Sequence, residues 1–130
     1  MIRPIIAAHQ TMDDHRKHPR HPLHLKVILH LPGADAKILH GETYDVSLDG
    51  AAIHTEHNVF TGEEFLVELL LPPEITGKAP QSLKIHARMV YTLYSSTHYC
   101  FRSGLFFRKF QGNSLALLET KLNQHPKLTG

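Results

Sequence analysis

At 130 residues the chain is long enough for one domain with one core. Its 42% hydrophobic and 20% charged residues are ordinary for a globular protein and argue against wholesale disorder. The formal charge of +2, with histidine neutral, is too small for a general nucleic-acid binder, so any anion binding must come from local clustering. No stretch approaches the roughly 18 apolar residues that a membrane span needs, so membrane insertion is not expected. The single cysteine, Cys100, excludes an intramolecular disulfide and suits a reducing, cytoplasmic setting. Within its apolar, alternating run it reads as a buried side chain rather than a nucleophile.

The amino terminus, MIRPIIAAHQ, is too short and too broken by Pro4 for a secretory signal. Residues 1–14 read as a flexible arm. A basic stretch follows, Asp14-His15-Arg16-Lys17-His18-Pro19-Arg20-His21, with three fixed cations, three histidines and one acid at its start. Residues 23–31 then alternate: Leu23, Leu25, Val27, Leu29 and Leu31 fall on one face, which is the period of a half-buried strand. Pro32-Gly33 marks a turn. Residues 37–46 read as a second strand, Asp49-Gly50 as a tight turn, and residues 51–55 as a short third strand. Phe65, Val67, Leu69 and Leu71 alternate until Pro72-Pro73, and residues 72–81 read as a loop. Ile85, Ala87, Met89, Tyr91 and Leu93 make a fifth alternation, and the aromatic-rich residues 99–107 a sixth. Six short antiparallel strands with turn signals between them imply an all-β barrel or sandwich. The period then changes. Asn113 or Ser114 is placed to cap a helix over about 113–124, carrying Leu115, Leu118 and Leu122 with Leu117 beside them, before Pro126. Residues 125–130 read as a tail.

Two motifs carry chemistry. The first is Arg16-Lys17-His18-Pro19-Arg20, an Arg-x-x-x-Arg. Pro19 disfavours helix at His18, so the segment is extended or looping and two guanidiniums face one place. A guanidinium is planar and always charged, forks onto phosphate oxygens or guanine O6 and N7, and stacks on a base. The second is Asp45-Val46-Ser47-Leu48-Asp49-Gly50, an Asp-x-Ser-x-x-Gly at a strand end. Asp45 and Ser47 are two apart and share a face. A carboxylate accepts two hydrogen bonds from the guanine N1-H and N2-H₂ edge or orients an arginine, and a serine hydroxyl both donates and accepts. Gly50 admits positive φ or close approach of a ligand to the backbone. Each motif alone also fits a solvated basic turn or a simple hairpin.

In this order and together, the two motifs resemble the PilZ family. RKHPRHPLHLKV is similar to that family's entry into its first strand, YDVSLDGAAI to its central signature, and ARMVYT and FRSGLFF to its fifth and sixth strands. The resemblance covers residues 15 to about 124, which sets the expected domain at 15–124. It implies a six-stranded antiparallel β-barrel with a carboxy-terminal helix that binds cyclic di-GMP, often as an intercalated pair of molecules. On this resemblance Arg16 and Arg20 grip phosphates and guanine edges, Asp45 and Ser47 hold a guanine and fix the arginines, and Gly50 lets the ligand lie on the barrel. Lys17 adds charge beside them, and Tyr91 stands where members often carry an aromatic near the site. The position before the first arginine influences how many ligand molecules bind. Here it is His15, which leaves one or two open. Residues 1–20, with little apolar surface after Ile6, are expected to move without ligand and to order on binding, presenting a new surface to an effector protein.

Other readings are weaker. His15, His18, His21 and His24 recur every third residue, but a proline and a strand intervene and no cysteine or carboxylate pattern assists, so no metal site is assigned. No nucleophile elbow or phosphate-cradling glycine loop supports an enzyme, and no cofactor is expected. A barrel for single-stranded nucleic acid wants a basic groove with interleaved aromatics, whereas Phe101, Phe106 and Phe107 read mostly as core. The remaining alternative is an adaptor of the same fold that acts in pilus or motility assembly without nucleotide.

Overall fold

A computed structural model describes residues 18–33, 37–72 and 81–124. The strands are β1 (Lys26–His30), β2 (Ile38–Val46), β3 (Gly50–Thr55), β4 (Phe65–Leu71), β5 (Gln81–Ser95) and β6 (Cys100–Phe110), followed by one helix, α1 (Ser114–Leu122). They form a closed antiparallel barrel in the order β1-β2-β3-β6-β5-β4. Closure gives every strand two neighbours, although β5 beyond Ala87 pairs with β6 alone. It follows from β1 serving both β2 and β4: Val27 stands opposite Gly41 on one side and Leu69 on the other. The alternating leucines and valines of the sequence point inward up to Met89 of β5, where a bulge before Tyr91 shifts the register and leaves Leu93 outside, against the expected alternation. Leu29, Ile53, Val67, Leu69, Leu83 and Ile85 are completely buried.

The first strand is shorter than its alternation. Leu23 and Leu25 are buried as expected, but ladder pairing begins only at Lys26. The cause is Thr43. Its hydroxyl donates to the Leu23 carbonyl and accepts from the Leu25 amide at 2.7 Å, while its own amide donates to the Leu25 carbonyl at 2.8 Å. A side chain thus replaces one ladder bond where the chain enters the barrel. β5 runs longer than the alternation, because Gln81 to Lys84 pair with β4 from Leu71 to Glu68. β6 also runs to Phe110, three residues past the expected end.

The helix departs from expectation at its start. Asn113 occupies the N-cap position without a side-chain cap bond, and the Ser114 hydroxyl accepts from the Lys84 amide of β5 at 3.0 Å instead. Leu118 and Leu122 join the barrel core and Leu117 packs against it, whereas Leu115 faces outward. Two further residues read as core lie elsewhere. Cys100 is half-buried at the tip of the β5–β6 hairpin, and Phe106 is exposed between Leu105 and Phe107, which take the inward positions. Phe106 follows from strand parity, since aromatic content does not override a two-residue period. Among the described residues no helix is long and apolar enough to cross a membrane. The expected arm (1–14), His15, Arg16, Lys17 and the tail lie outside the described residues.

Thr43 gives a direct test of this frame. Thr43→Val keeps shape but strands the buried Leu23 carbonyl and Leu25 amide, and should cost about 2 kcal/mol in urea unfolding. Thr43→Ser should cost clearly less.

Candidate functional site

The link from β2 to β3 is built by Ser47. Its amide donates to the Gly50 carbonyl at 2.8 Å, and its hydroxyl accepts from the amides of Asp49 at 3.0 Å and Gly50 at 3.2 Å. A serine that ties its own turn in this way explains the residue locally. The hydroxyl is buried and engaged within the loop. Gly50 has no positive φ. A Cβ there would run into the Leu105 carbonyl of β6, so the close approach that glycine permits in this fold is that of β6 to β3.

The chain before β1 is pinned to the end of β2. The His21 amide donates to the Val46 carbonyl at 2.8 Å and the Val46 amide donates to the His21 carbonyl at 2.9 Å. This isolated bridge sets Arg20 beside Asp45. An Arg20 Nη stands 3.7 Å from Asp45 Oδ2. His18 Nε2 lies 3.8 Å from Asp49 Oδ1, so the basic segment follows the β2–β3 turn. The structure therefore brings Arg20, Asp45, Ser47 and Gly50 to one end of β2.

A bulge between Thr43 and Asp45 decides which way Asp45 points. After it, Val46 stands opposite Ala51, which stands opposite Leu105, and these are core residues. The neighbouring row, Asp45–Ala52–Gly104–Tyr91, therefore lies on the outer face across four strands. Its two middle members are the smallest residues available. They make a floor that is itself buried, Ala52 at 2% exposure, with Asp45 at one end and the Tyr91 ring lying over Gly104 at the other, where a Cβ would collide with it. Tyr91 thus shares the row with Asp45, although the floor separates them.

The next outward row is Glu42–His54–Arg102–Leu93. It supplies a group that reading the chain missed. An Arg102 Nη lies 4.0 Å from Asp45 Oδ2, and the guanidinium sits over the Tyr44 ring, 4.5 Å from its centroid. The Asp45 carboxylate, only 4% exposed, therefore stands between two guanidiniums, neither at direct hydrogen-bond length. Around Tyr44 gather His24, His54 and His98, with ring centroids 6.3, 5.3 and 6.2 Å away. The His54 imidazole is held below its ordinary value, first by burial and then by the neighbouring His98 and Arg102. Nothing in the sequence spacing signals Arg102; only the β3–β6 register does.

Two concavities flank this face. One of about 330 Å³ lies between the entry segment and α1, lined by His18, Pro19, His21, Leu48 and Leu122 among others. A groove of about 800 Å³ runs across β1, β2 and β3, lined in part by Lys26, His40, Glu42, His54 and His98. Asp45 and Arg20 line neither. Among the described residues no group of three or more His, Cys, Asp or Glu side chains is arranged to hold a metal ion.

The profile of the PilZ domain matches residues 14–124. The chain belongs to the PilZ family. No curated protein matches the sequence. Among solved structures the barrel is similar to the Bacillus subtilis inhibitor of motility MotI/DgrA, with a TM-score of 0.65 and 18% identity over 84% of this chain and 50% of that one. It is also similar to Escherichia coli YcgR in complex with c-di-GMP, with a TM-score of 0.61 and 17% identity over 85% of this chain and 45% of that one. The PilZ domain of YcgR with c-di-GMP gives 0.53 and 14% identity, over 85% of this chain and 91% of that one. The PilZ chain spans about half the length of the first two proteins. At these identities the likeness establishes a shared fold.

The state of His54 predicts a pH dependence of stability. In the unfolded chain it titrates near 6.5, and in the folded chain lower. Between the two values the unfolded state binds the proton more readily, so the stabilisation is present above 6.5 and is lost as pH falls through that window. Thermal melts should show a shallower acid loss for His54→Gln than for the parent protein. Identical slopes would contradict the assignment.

Proposed function

We propose that this PilZ protein is a receptor for cyclic di-GMP that acts by binding and not by catalysis. The single observation that carries the reading is the Asp45 carboxylate poised between the Arg20 and Arg102 guanidiniums on an outward floor of Ala52 and Gly104. A buried acid with two guanidiniums just beyond hydrogen-bond length is an arrangement a guanine nucleotide completes. The guanine N1-H and N2-H₂ edge reaches the carboxylate, and the guanidiniums fork onto phosphate oxygens or O6 and N7. A flat base would approach beside Asp45, where Ala52 adds little bulk, and the Tyr91 ring that already covers Gly104 offers it an aromatic edge.

The family supports the choice of ligand, as does the complex of YcgR with c-di-GMP on the same fold. Arg16 and Lys17 precede His18 by two and one residues and are proposed to complete the cationic grip, with His15 beside them bearing on whether one or two ligand molecules are held. Ser47 and Gly50 contribute through the turn: Ser47 fixes the backbone that follows Asp45, and Gly50 allows β6 to bring Arg102 alongside.

Signalling is proposed to run through the basic segment. Arg20 is tied to the barrel by one isolated bridge at His21, and a ligand that neutralises the arginines would fasten the preceding chain against the turn. The effector is a protein of a motility, exopolysaccharide or virulence pathway, and the cytoplasm is the compartment that fits a cyclic dinucleotide signal.

Isothermal titration with cyclic di-GMP tests the reading, with GMP and cyclic di-AMP as controls. Saturable binding of cyclic di-GMP alone is expected, weakened about tenfold or more in Arg20→Ala and in Asp45→Ala. No heat at several temperatures would favour a nucleotide-independent adaptor.

A further inference from the structure

Two buried nitrogens beside the site have no hydrogen-bond partner among the described residues: Arg102 Nε and His54 Nε2. They belong to neighbouring residues, since His54 and Arg102 stand directly opposite each other on β3 and β6. Buried polar atoms are almost always paired, so two orphans at one spot call for a partner that the described residues do not supply. What surrounds them is specific. The Arg102 guanidinium rests on the Tyr44 ring with one edge toward Asp45, and its side chain keeps 29% exposure. The His54 ring lies 4.8 Å from that of His98, and both adjoin Tyr44. His54 and His98 also line the 800 Å³ groove, which Arg102 and Tyr44 do not reach, so the histidine side of the cluster opens onto free space.

We propose that Arg102, seated on Tyr44 and flanked by His54 and His98, is a third arginine of the ligand site that takes a phosphate oxygen of the cyclic dinucleotide, and that the imidazoles around it make affinity rise as pH falls. This rests on the receptor reading above. The geometry supports a phosphate contact. Tyr44 fixes the guanidinium plane and Asp45 orients one edge, so the outer nitrogens are presented with little freedom left to lose.

The pH dependence follows from the charges on every element that faces the cluster. His24 comes from the entry segment, Glu42 and Asp45 from β2, His54 from β3, His98 from the hairpin and Arg102 from β6. Without ligand, burial first and then the neighbouring His98 and Arg102 disfavour protonation of His54, against a smaller favourable contribution from Glu42. A phosphate brought to Arg102 adds negative charge beside the imidazoles and offsets the positive charge of Arg102, so binding takes up protons. The sign is opposite to that of the unliganded fold, whose stability falls as His54 is asked to charge.

Calorimetric titration of cyclic di-GMP into the parent protein, Arg102→Gln, and the double variant His54→Gln/His98→Gln tests this at about pH 6 and about pH 8. The parent is expected to bind several-fold more tightly at the lower pH. Arg102→Gln should weaken binding about tenfold at both values. The double variant should bring the ratio of the two dissociation constants close to one. If Arg102→Gln melts far below the parent, Arg102→Lys replaces it: it keeps the charge without the planar fork and should still bind several-fold more weakly. Unchanged affinity in the folded Arg102 variant, or a pH-independent parent, overturns the inference and leaves the receptor reading standing. A parent that binds at neither pH, with its fold intact by circular dichroism, overturns both.

Discussion

The pairing of β3 with β6 is the constraint on which the rest depends. It joins two strands about fifty residues apart and closes the barrel in the order β1-β2-β3-β6-β5-β4. Because loop closure must precede the reward of such contacts, the pairing needs sequence features that admit it and little else. Gly50 is one, since any side chain there would strike the Leu105 carbonyl. Gly104 is another, since it makes room for the Tyr91 ring. The same register that closes the barrel lays Asp45, Ala52, Gly104 and Tyr91 in one outward row and Glu42, His54, Arg102 and Leu93 in the next. The site is thus a by-product of closure: acid from β2, floor from β3 and β6, and a guanidinium from each side.

A second level of control is local. The bulge between Thr43 and Asp45 turns Asp45 outward while Val46 returns to the core. Without that extra residue, parity would send one of the two the wrong way. Thr43, at the start of the same irregularity, ties the entry segment to β2, and the His21–Val46 bridge ties it again. Arg20 stands just before the bridge, and the chain enters the barrel through the Thr43 fastening. The basic segment is therefore fixed at its carboxy-terminal end by backbone bonds and joined to the site by charge. That is the arrangement a ligand-responsive segment requires, with a firm root and electrostatic contacts that a ligand can exchange.

Much of this was legible in the sequence. The two-residue alternation pointed to six strands and most of their inward faces, and the change to helical spacing to α1; in β5 the bulge after Met89 turns Leu93 outward, which alternation alone does not show. The order of the two motifs pointed to the family that the domain profile then matched. The turn at Asp49-Gly50 lies where β2 passes to β3. What was not legible depends on pairing between distant segments. Arg102 looks like one more surface cation in FRSGLFF until β6 is set beside β3. Cys100 and Phe106 looked like core because composition suggested it, and parity placed Phe106 outside. Asn113 takes the N-cap position as its place in the chain suggests, but without a side-chain cap bond, and the Ser114 hydroxyl is drawn to the Lys84 amide, a partner thirty residues away. Ser47 was read chiefly for a ligand, whereas its hydroxyl builds the turn that sets Asp45 in place. The histidines, twelve in the chain, gave no pattern by spacing. Three of them meet around Tyr44 only because the segment before β1, β3 and the β5–β6 hairpin converge there.

The central claim is that the outward face of β2, β3 and β6 around Asp45 receives cyclic di-GMP. An amide chemical-shift titration of the isotopically labelled protein tests it most directly. The account predicts that the amides of Asp45, Ala52, Arg102 and Gly104 move with saturation, together with those of the β2–β3 turn, while the amides of β4 stay in place. Shifts confined to β4 and the outer face of α1, or no shifts in the presence of excess ligand, would contradict it.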